Sequence, residues 1–230
     1  ITHDEILRTE SSLISIDVYD VEDPSQNLTV LVQYRSPSGN WSVGDLGTIS
    51  YNSELEVWET YFTPNTTAEL GLYDFRVKAI DLDNGETQWL NYEDNILVTN
   101  NIPIYHDYQL TYEHDYDILP QANNSLLRTD GGMIFVKSTD VEDNSTLHEV
   151  IIELKSPTGA WSSDYIQISE NNTFTPEFQN SFLFLPGADA ELGNYKMRIK
   201  VIDLDGGSTN WSVFSAVSYT HLRAHETCTN

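Results

Sequence analysis

Ten carboxylates recur in two short words that could do metal chemistry. Asp20, Glu22 and Asp23 stand in "DVED", and Asp81 and Asp83 in "IDLDNG". Asp140, Glu142 and Asp143 repeat the first word, and Asp203 and Asp205 repeat the second as "IDLDGG". Calcium is the ion such groups suit, because it accepts about six to eight oxygens in irregular geometry. An EF-hand is excluded by spacing. Counted from Asp81, Gly85 takes position 5, Glu86 position 6 and Tyr92 position 12; counted from Asp203, position 12 is Phe214. None of these satisfies that loop's ligand order. Two readings remain for each set of five: solvated acidic turns, or a weak calcium site where the two loops meet at one pole of a domain. In both readings Asn84-Gly85 and Gly206-Gly207 turn a hairpin, since these residues tolerate φ > 0.

Other reactive side chains form no comparable pattern. His3, His106, His114 and His148 have no metal-ligand spacing, and no Gly-rich phosphate loop or framed nucleophile is present. The expectation is a chain without catalytic residues. The few cations are ordered, however. Arg35, Arg76 and Lys78, with Lys155, Arg198 and Lys200 as their copies, lie at outward positions of two strands expected to pair. They suit either a ligand-binding face or cross-strand ion pairs. Tyr105, Tyr108, Tyr112 and Tyr116 could form a sugar-stacking strip or pack a domain interface.

The elements that position these groups come twice. "LRTESSLISIDVYDVED" at 7–23 matches "LRTDGGMIFVKSTDVED" at 127–143, and "YRSPSGNW" at 34–41 matches "LKSPTGAW" at 154–161. "ELGLYDFRVKAIDLDNGETQW" at 69–89 matches "ELGNYKMRIKVIDLDGGSTNW" at 191–211, two residues further out of step. A repeat of this length is a domain rather than a solenoid unit. Within each copy apolar residues alternate with polar ones, as in Ile14, Ile16, Val18; Val30, Val32, Tyr34; and Tyr73, Phe75, Val77, Ala79. Period two over short runs, broken by Ser-Pro-x-Gly turns, indicates strands. The expected fold is all-β, two tandem immunoglobulin-like β-sandwich domains, at residues 1–99 and 100–216.

Composition narrows the partners. With 11 Lys+Arg against 36 Asp+Glu, the formal net charge is −25. Such a polyanion repels nucleic acid and anionic lipid, so no nucleic-acid partner is expected. No apolar run is long enough for direct membrane insertion. Aromatic residues at 11% argue against disorder despite the charge. Seven N-x-S/T sequons, at Asn27, Asn40, Asn65, Asn123, Asn144, Asn171 and Asn210, suit either a glycosylated exterior or an Asn/Ser/Thr-rich turn vocabulary.

Two resemblances follow from quoted residues. Gly71-x-Tyr73-x-Phe75 and Gly193-x-Tyr195-x-Met197 resemble the tyrosine corner of immunoglobulin-like domains, with Phe75 and Met197 at the usual Cys position. The F-R-V-K-x-x-D-x-D-x-G run followed by Trp resembles Ig-like, PKD-like and cadherin-like repeats of large prokaryotic, especially archaeal, surface proteins. That likeness implies a non-enzymatic extracellular or cell-surface module of a larger protein, a structural or adhesive unit. Its partners would be neighbouring repeats of the same polypeptide, with cell-surface proteins or glycans as further candidates. The alternative is an accessory carbohydrate- or protein-binding module of a secreted hydrolase. "VSYTHLRAHET" at 217–227 resembles a translated sequencing-library adapter, so residues 217–230, including Cys228, are expected to be a scar. On that expectation the second domain has a truncated last strand, and the first domain lacks its first strand.

Overall fold

Alternation at period two leaves one face of each strand apolar, and two such faces must close on each other. The computed structural model describes residues 4–44, 46–113, 125–127, 131–168, 178, 180–185, 187 and 189–220. His3, His114, Tyr116, Asn123, Asn171 and Cys228, with the rest of 221–230, lie outside the described residues. The chain divides into two compact units, Ile1–Asn101 and Ile102–Asn230. The described residues hold no α-helix; their helical elements are three-residue 3-10 turns at Ser25–Asn27 and Ser145–Leu147.

Unit 1 contains β1 (Asp4–Leu7), β2 (Ser12–Ile16), β3 (Thr29–Arg35), β4 (Ser50–Asn52), β5 (Val57–Phe62), β6 (Gly71–Ile80) and β7 (Leu90–Thr99). They form one sheet in the order β1-β7-β6-β3 and a second in the order β2-β5-β4. The β1–β7 pair is parallel and the others are antiparallel. Ile14, Ile16 and Phe62 from one sheet meet Val30, Val32, Tyr73, Phe75, Val77, Ile96 and Val98 from the other in a single buried cluster. The architecture is an immunoglobulin-like sandwich.

Unit 2 contains β8 (Ile104–Glu113), β9 (Ser125–Leu127), β10 (Gly131–Thr139), β11 (Glu149–Lys155), β12 (Trp161–Ser162), β13 (Ile166–Ile168), β14 (Asn180–Phe184), β15 (Gly193–Ile202) and β16 (Ser212–Thr220). The sheet orders are β12-β11-β15-β16-β9 and β13-β14-β10-β8. The two units share register. Ser12 pairs Phe62 as Gly132 pairs Phe184, and Gln33 pairs Arg76 as Glu153 pairs Arg198. The duplicated words are thus duplicated pairings.

The last strand of unit 1 runs over Leu90–Thr99, with a register shift opposite Tyr73–Phe75. Asp94 takes φ 52° there, and its N–H donates to Asp74 Oδ1 at 2.9 Å. In unit 2, Val217, Ser218 and Tyr219 continue β16 and pair with Tyr195, Asn194 and Gly193. The hairpin turn is also longer than two residues. Asn84 N–H donates to the Asp81 carbonyl, and Asp81 N–H to the Gly85 carbonyl. Only the equivalent residues Asn84 (φ 65°) and Gly206 (φ 86°) enter the left-handed region in these two turns.

Candidate functional site

The acidic words end up where two loops meet at one end of each sandwich. Asp20 Oδ1 accepts from the N–H of Glu22 at 2.7 Å and of Asp23 at 2.9 Å, closing the loop after β2. Asp81 Oδ1 accepts from Gly85 N–H at 2.6 Å inside the hairpin after β6. Asp23 Oδ2 then accepts from Leu82 N–H at 3.2 Å and ties the two loops together. Unit 2 repeats every bond. Asp140 serves Glu142 at 2.6 Å and Asp143 at 3.2 Å, Asp203 serves Gly207 at 2.8 Å, and Asp143 reaches Leu204 at 3.2 Å. Glu22, Asp83, Glu142 and Asp205 flank these ties.

Carboxylates therefore satisfy backbone donors that would otherwise lack partners at a loop-rich pole. Asp20 is held below the ordinary carboxylate value by those bonds, first from Asp23 and then from Glu22. For calcium the donor set is mixed. Oδ2 of Asp140 is a buried oxygen with no hydrogen-bond partner. Among the described residues, however, no group of three or more His, Cys, Asp or Glu is arranged to hold a metal ion.

The opposite pole carries a second duplicated lock. The Ser-Pro-x-Gly turn after β3 places Ser38 N–H 3.1 Å from Glu69 Oε2, and Thr158 N–H stands at the same distance from Glu191 Oε2. Tyr73 Oη donates to the Glu69 carbonyl at 3.0 Å, which is the tyrosine-corner bond. Burial, and then the Glu69 charge, push the Tyr73 phenol upward. Both glutamates are held below their ordinary 4.5, chiefly by the backbone bonds from Ser38 and Thr158. A depressed folded value means stabilisation that is complete above the unfolded value and disappears as pH falls through the folded one. In urea melts, the stability gap between the chain and its E69Q/E191Q variant is expected to be constant above about pH 6. It should shrink steadily as pH drops below 4.5. A gap independent of pH would show that ionised carboxylates are not what hold the turns.

The cation row is neither a bare ligand face nor a simple ion-pair ladder. Arg35 pairs with Asp74 (Nε to Oδ2 2.8 Å), Lys78 with Glu86, and Arg198 with Glu153 (Nε to Oε2 2.6 Å). Arg76 instead meets a neutral acceptor, Gln33 Oε1, at 2.9 Å from Nε. Its guanidinium is sandwiched between rings, 4.6 Å from Trp41 and 4.4 Å from Trp89. Arg198 lies likewise 4.7 Å from Trp161 and 4.1 Å from Trp211. The Trp partners were missed as partners in the sequence, although their places were visible: one follows each Ser-Pro-x-Gly turn, the other each Asp-x-Asp hairpin. Replacing Arg76 by Ala should cost about 1–2 kcal/mol, from two cation–π contacts and the packed stem. Lys at this position should recover under half, because it lacks the planar stack. Urea melts followed by Trp fluorescence measure both, and a loss below a few tenths would make the stack incidental.

The remaining candidates settle simply. Tyr105 and Tyr108 turn inward onto Phe214, with ring centroids 5.8 and 4.8 Å away, rather than forming an exposed strip. Ser138 Oγ and His148 Nδ1 are 2.9 Å apart in the buried interior of unit 2, where no substrate could reach them. His106 Nε2 contacts Thr139 Oγ1 at 2.6 Å on the surface. Asn27, Asn40, Asn65, Asn144 and Asn210 are all exposed.

No protein-family model matches the chain, and no curated protein matches it. Several solved structures are similar in outline. The fibronectin(III)-like modules of Clostridium thermocellum CbhA share 10% identity at a TM-score of 0.29, covering 98% of this chain and 96% of that one. A chicken T cell receptor shares 11% at 0.31, covering 95% and 98%, and a marsupial T cell receptor 11% at 0.37, covering 97% and 71%.

Proposed function

We propose that the chain is a pair of non-enzymatic structural modules, part of a larger extracellular or cell-surface protein whose repeats stand in series. One observation supports this reading above the rest. The side chains that recur in equivalent places are scaffolding: the acidic loop ties, the Glu–turn locks and the Trp–Arg–Trp stacks. A selected binding or reaction centre would show as recurring groups left without internal partners. Exposure of the five described sequons is compatible with a glycosylated exterior. Among the described residues no helix is long and apolar enough to cross a membrane.

The rival reading, an accessory module for carbohydrate or protein, requires an exposed aromatic platform. Tyr105 and Tyr108, the best candidates for it, pack inward. A glycan array with the intact chain decides between the two: spacer modules bind nothing saturably, whereas a glycan held at micromolar strength would favour the binding module.

Calcium belongs to this proposal as a weak site at the unit 2 pole, resting on the unpartnered Oδ2 of Asp140. Melting in calcium against chelator, at matched ionic strength, tests it. With a dissociation constant of about 10⁻⁴–10⁻³ M, a hundredfold excess should add roughly 2.7 kcal/mol. The gain should disappear in D140N. An unchanged melt would leave the carboxylates as loop ties alone.

A further inference from the structure

The outer face of the β11–β15 pair differs in charge from its counterpart in unit 1. There Arg35 stands opposite Asp74 and pairs with it, and Lys78 pairs with Glu86. In unit 2 Lys196 takes the place of Asp74, and Ser208 takes the place of Glu86. Lys155 therefore stands directly opposite a second cation, Lys196, and Lys200 has no hairpin carboxylate to meet.

Alternation sets these lysines on the solvent side, because Tyr195, Met197, Ile199 and Val201 of the same strand are buried. The ion pair of this face is Arg198–Glu153, and among the described residues no partner holds Lys155, Lys196 or Lys200. Glu149, the other carboxylate on this side of β11, pairs in register with Ile202, two residues beyond Lys200. The middle of the face is apolar. Val213, 57% exposed, stands opposite Arg198, where unit 1 sets Asn91 opposite Arg76. Like charges directly opposite each other destabilise a sheet. A chain with 36 Asp+Glu has no shortage of carboxylates to neutralise them. Three bare cations are thus a cost that nothing within the fold offsets.

We propose that this face of unit 2 docks an extended acidic segment of a partner protein, with carboxylates four residues apart around a central apolar side chain. Lys196 and Lys200 lie roughly 13 Å apart along β15, the distance between residues i and i+4 of any extended segment. One carboxylate would sit between Lys155 and Lys196 and the other at Lys200, with the side chain at i+2 over Val213. Arg198 is already held by Glu153 and two Trp rings, so it supplies a fixed floor rather than a ligand. At physiological ionic strength the Debye length is about 8 Å, so charges elsewhere on the chain do little to repel the segment at the face. Because unit 1 lacks the patch, this adds a role of unit 2 alone to the series of structural modules.

The probe is the blocked peptide Asp-Thr-Leu-Thr-Asp, titrated into the intact chain at physiological ionic strength and followed by amide NMR shifts. Expected are saturable shifts at Lys155, Lys196, Lys200 and Val213, with none at Arg35, Asp74 or Lys78. The isomer Asp-Asp-Leu-Thr-Thr keeps the charge but loses the spacing, and should bind about fivefold more weakly, one exposed ion pair being lost. K196D restores the unit 1 arrangement, gives Lys155 an internal partner, and should weaken the first peptide at least about tenfold. That variant should melt no lower than the parent chain, which separates lost binding from lost folding. Shifts absent from this face, equal binding of the two isomers, or undiminished binding by K196D would each overturn the proposal. So would a uronic-acid oligosaccharide of equal charge that binds the face more tightly than the peptide, since the occupant would then be an acidic glycan.

Discussion

Phe75→Ala is expected to remove about 3–5 kcal/mol from unit 1, a large fraction of the roughly 5–15 kcal/mol that a domain of this size possesses. Phe75 is almost fully buried and meets Phe62 edge-on at 5.1 Å; Phe62 in turn touches Tyr73 at 5.2 Å and Tyr34 at 5.5 Å. Deleting the ring leaves a cavity among rigid aromatics, which cannot collapse to fill it. In the repeat the same position is Met197, fully buried. Hydrogen exchange should therefore accelerate throughout β6 in F75A and far less in β15, and M197A should invert the pattern with a loss of about 2–5 kcal/mol. A loss below about 1 kcal/mol for F75A would mean that the sandwich is not built around β6.

Gly193→Val is expected to cost about 3 kcal/mol or more in unit 2, and Gly71→Val the same in unit 1. Both glycines open their strand at a positive φ that residues with a side chain rarely adopt, +125° for Gly193 and +127° for Gly71. A Cβ on either would stand 2.9 Å from the Cγ of Pro157 or Pro37, in the turn that the neighbouring glutamate clasps. Strain and clash therefore act together, and relief would require giving up the Glu–turn bond. Gly206 supplies the contrast. It also has positive φ, but nothing lies within 4 Å of an added Cβ, and Asn84 already occupies the same turn position in unit 1. G206N should change stability by less than about 1 kcal/mol. Chemical denaturation of the three variants gives the ranking; equal losses would mean that positive φ alone, rather than contact with the proline, sets the cost.

Much of this molecule was legible from residues alone, for a physical reason. Alternation is a one-dimensional signal of a two-faced strand, so Tyr73, Phe75, Val77 and Ala79 could be assigned to the core before any contact was known, and all four are buried. Repetition doubled the signal: Ser-Pro-x-Gly and Leu-Gly-x-Tyr recur because the turn and the glycine touch, and their co-occurrence marked both copies. Spacing also sufficed to exclude the EF-hand.

Only the tertiary structure decided what the polar groups do, because a carboxylate or guanidinium is defined by its partner. "DVED" and "IDLD" read as turns or as calcium ligands in the sequence, and only the fold shows Asp23 bonding Leu82 across 59 residues. The cations were expected to face ligands or carboxylates, but Arg76 lies between Trp41 and Trp89, 35 residues before it and 13 after it in the chain. Two-residue turn chemistry was likewise inferred from Asn-Gly, whereas the longer Asp81–Gly85 loop, closed by the Asp81 carboxylate, leaves only Asn84 in the left-handed region. Local pattern fixes which face of a strand is apolar; it carries no information on which distant polar atom completes a hydrogen bond, because that depends on how the sheets close.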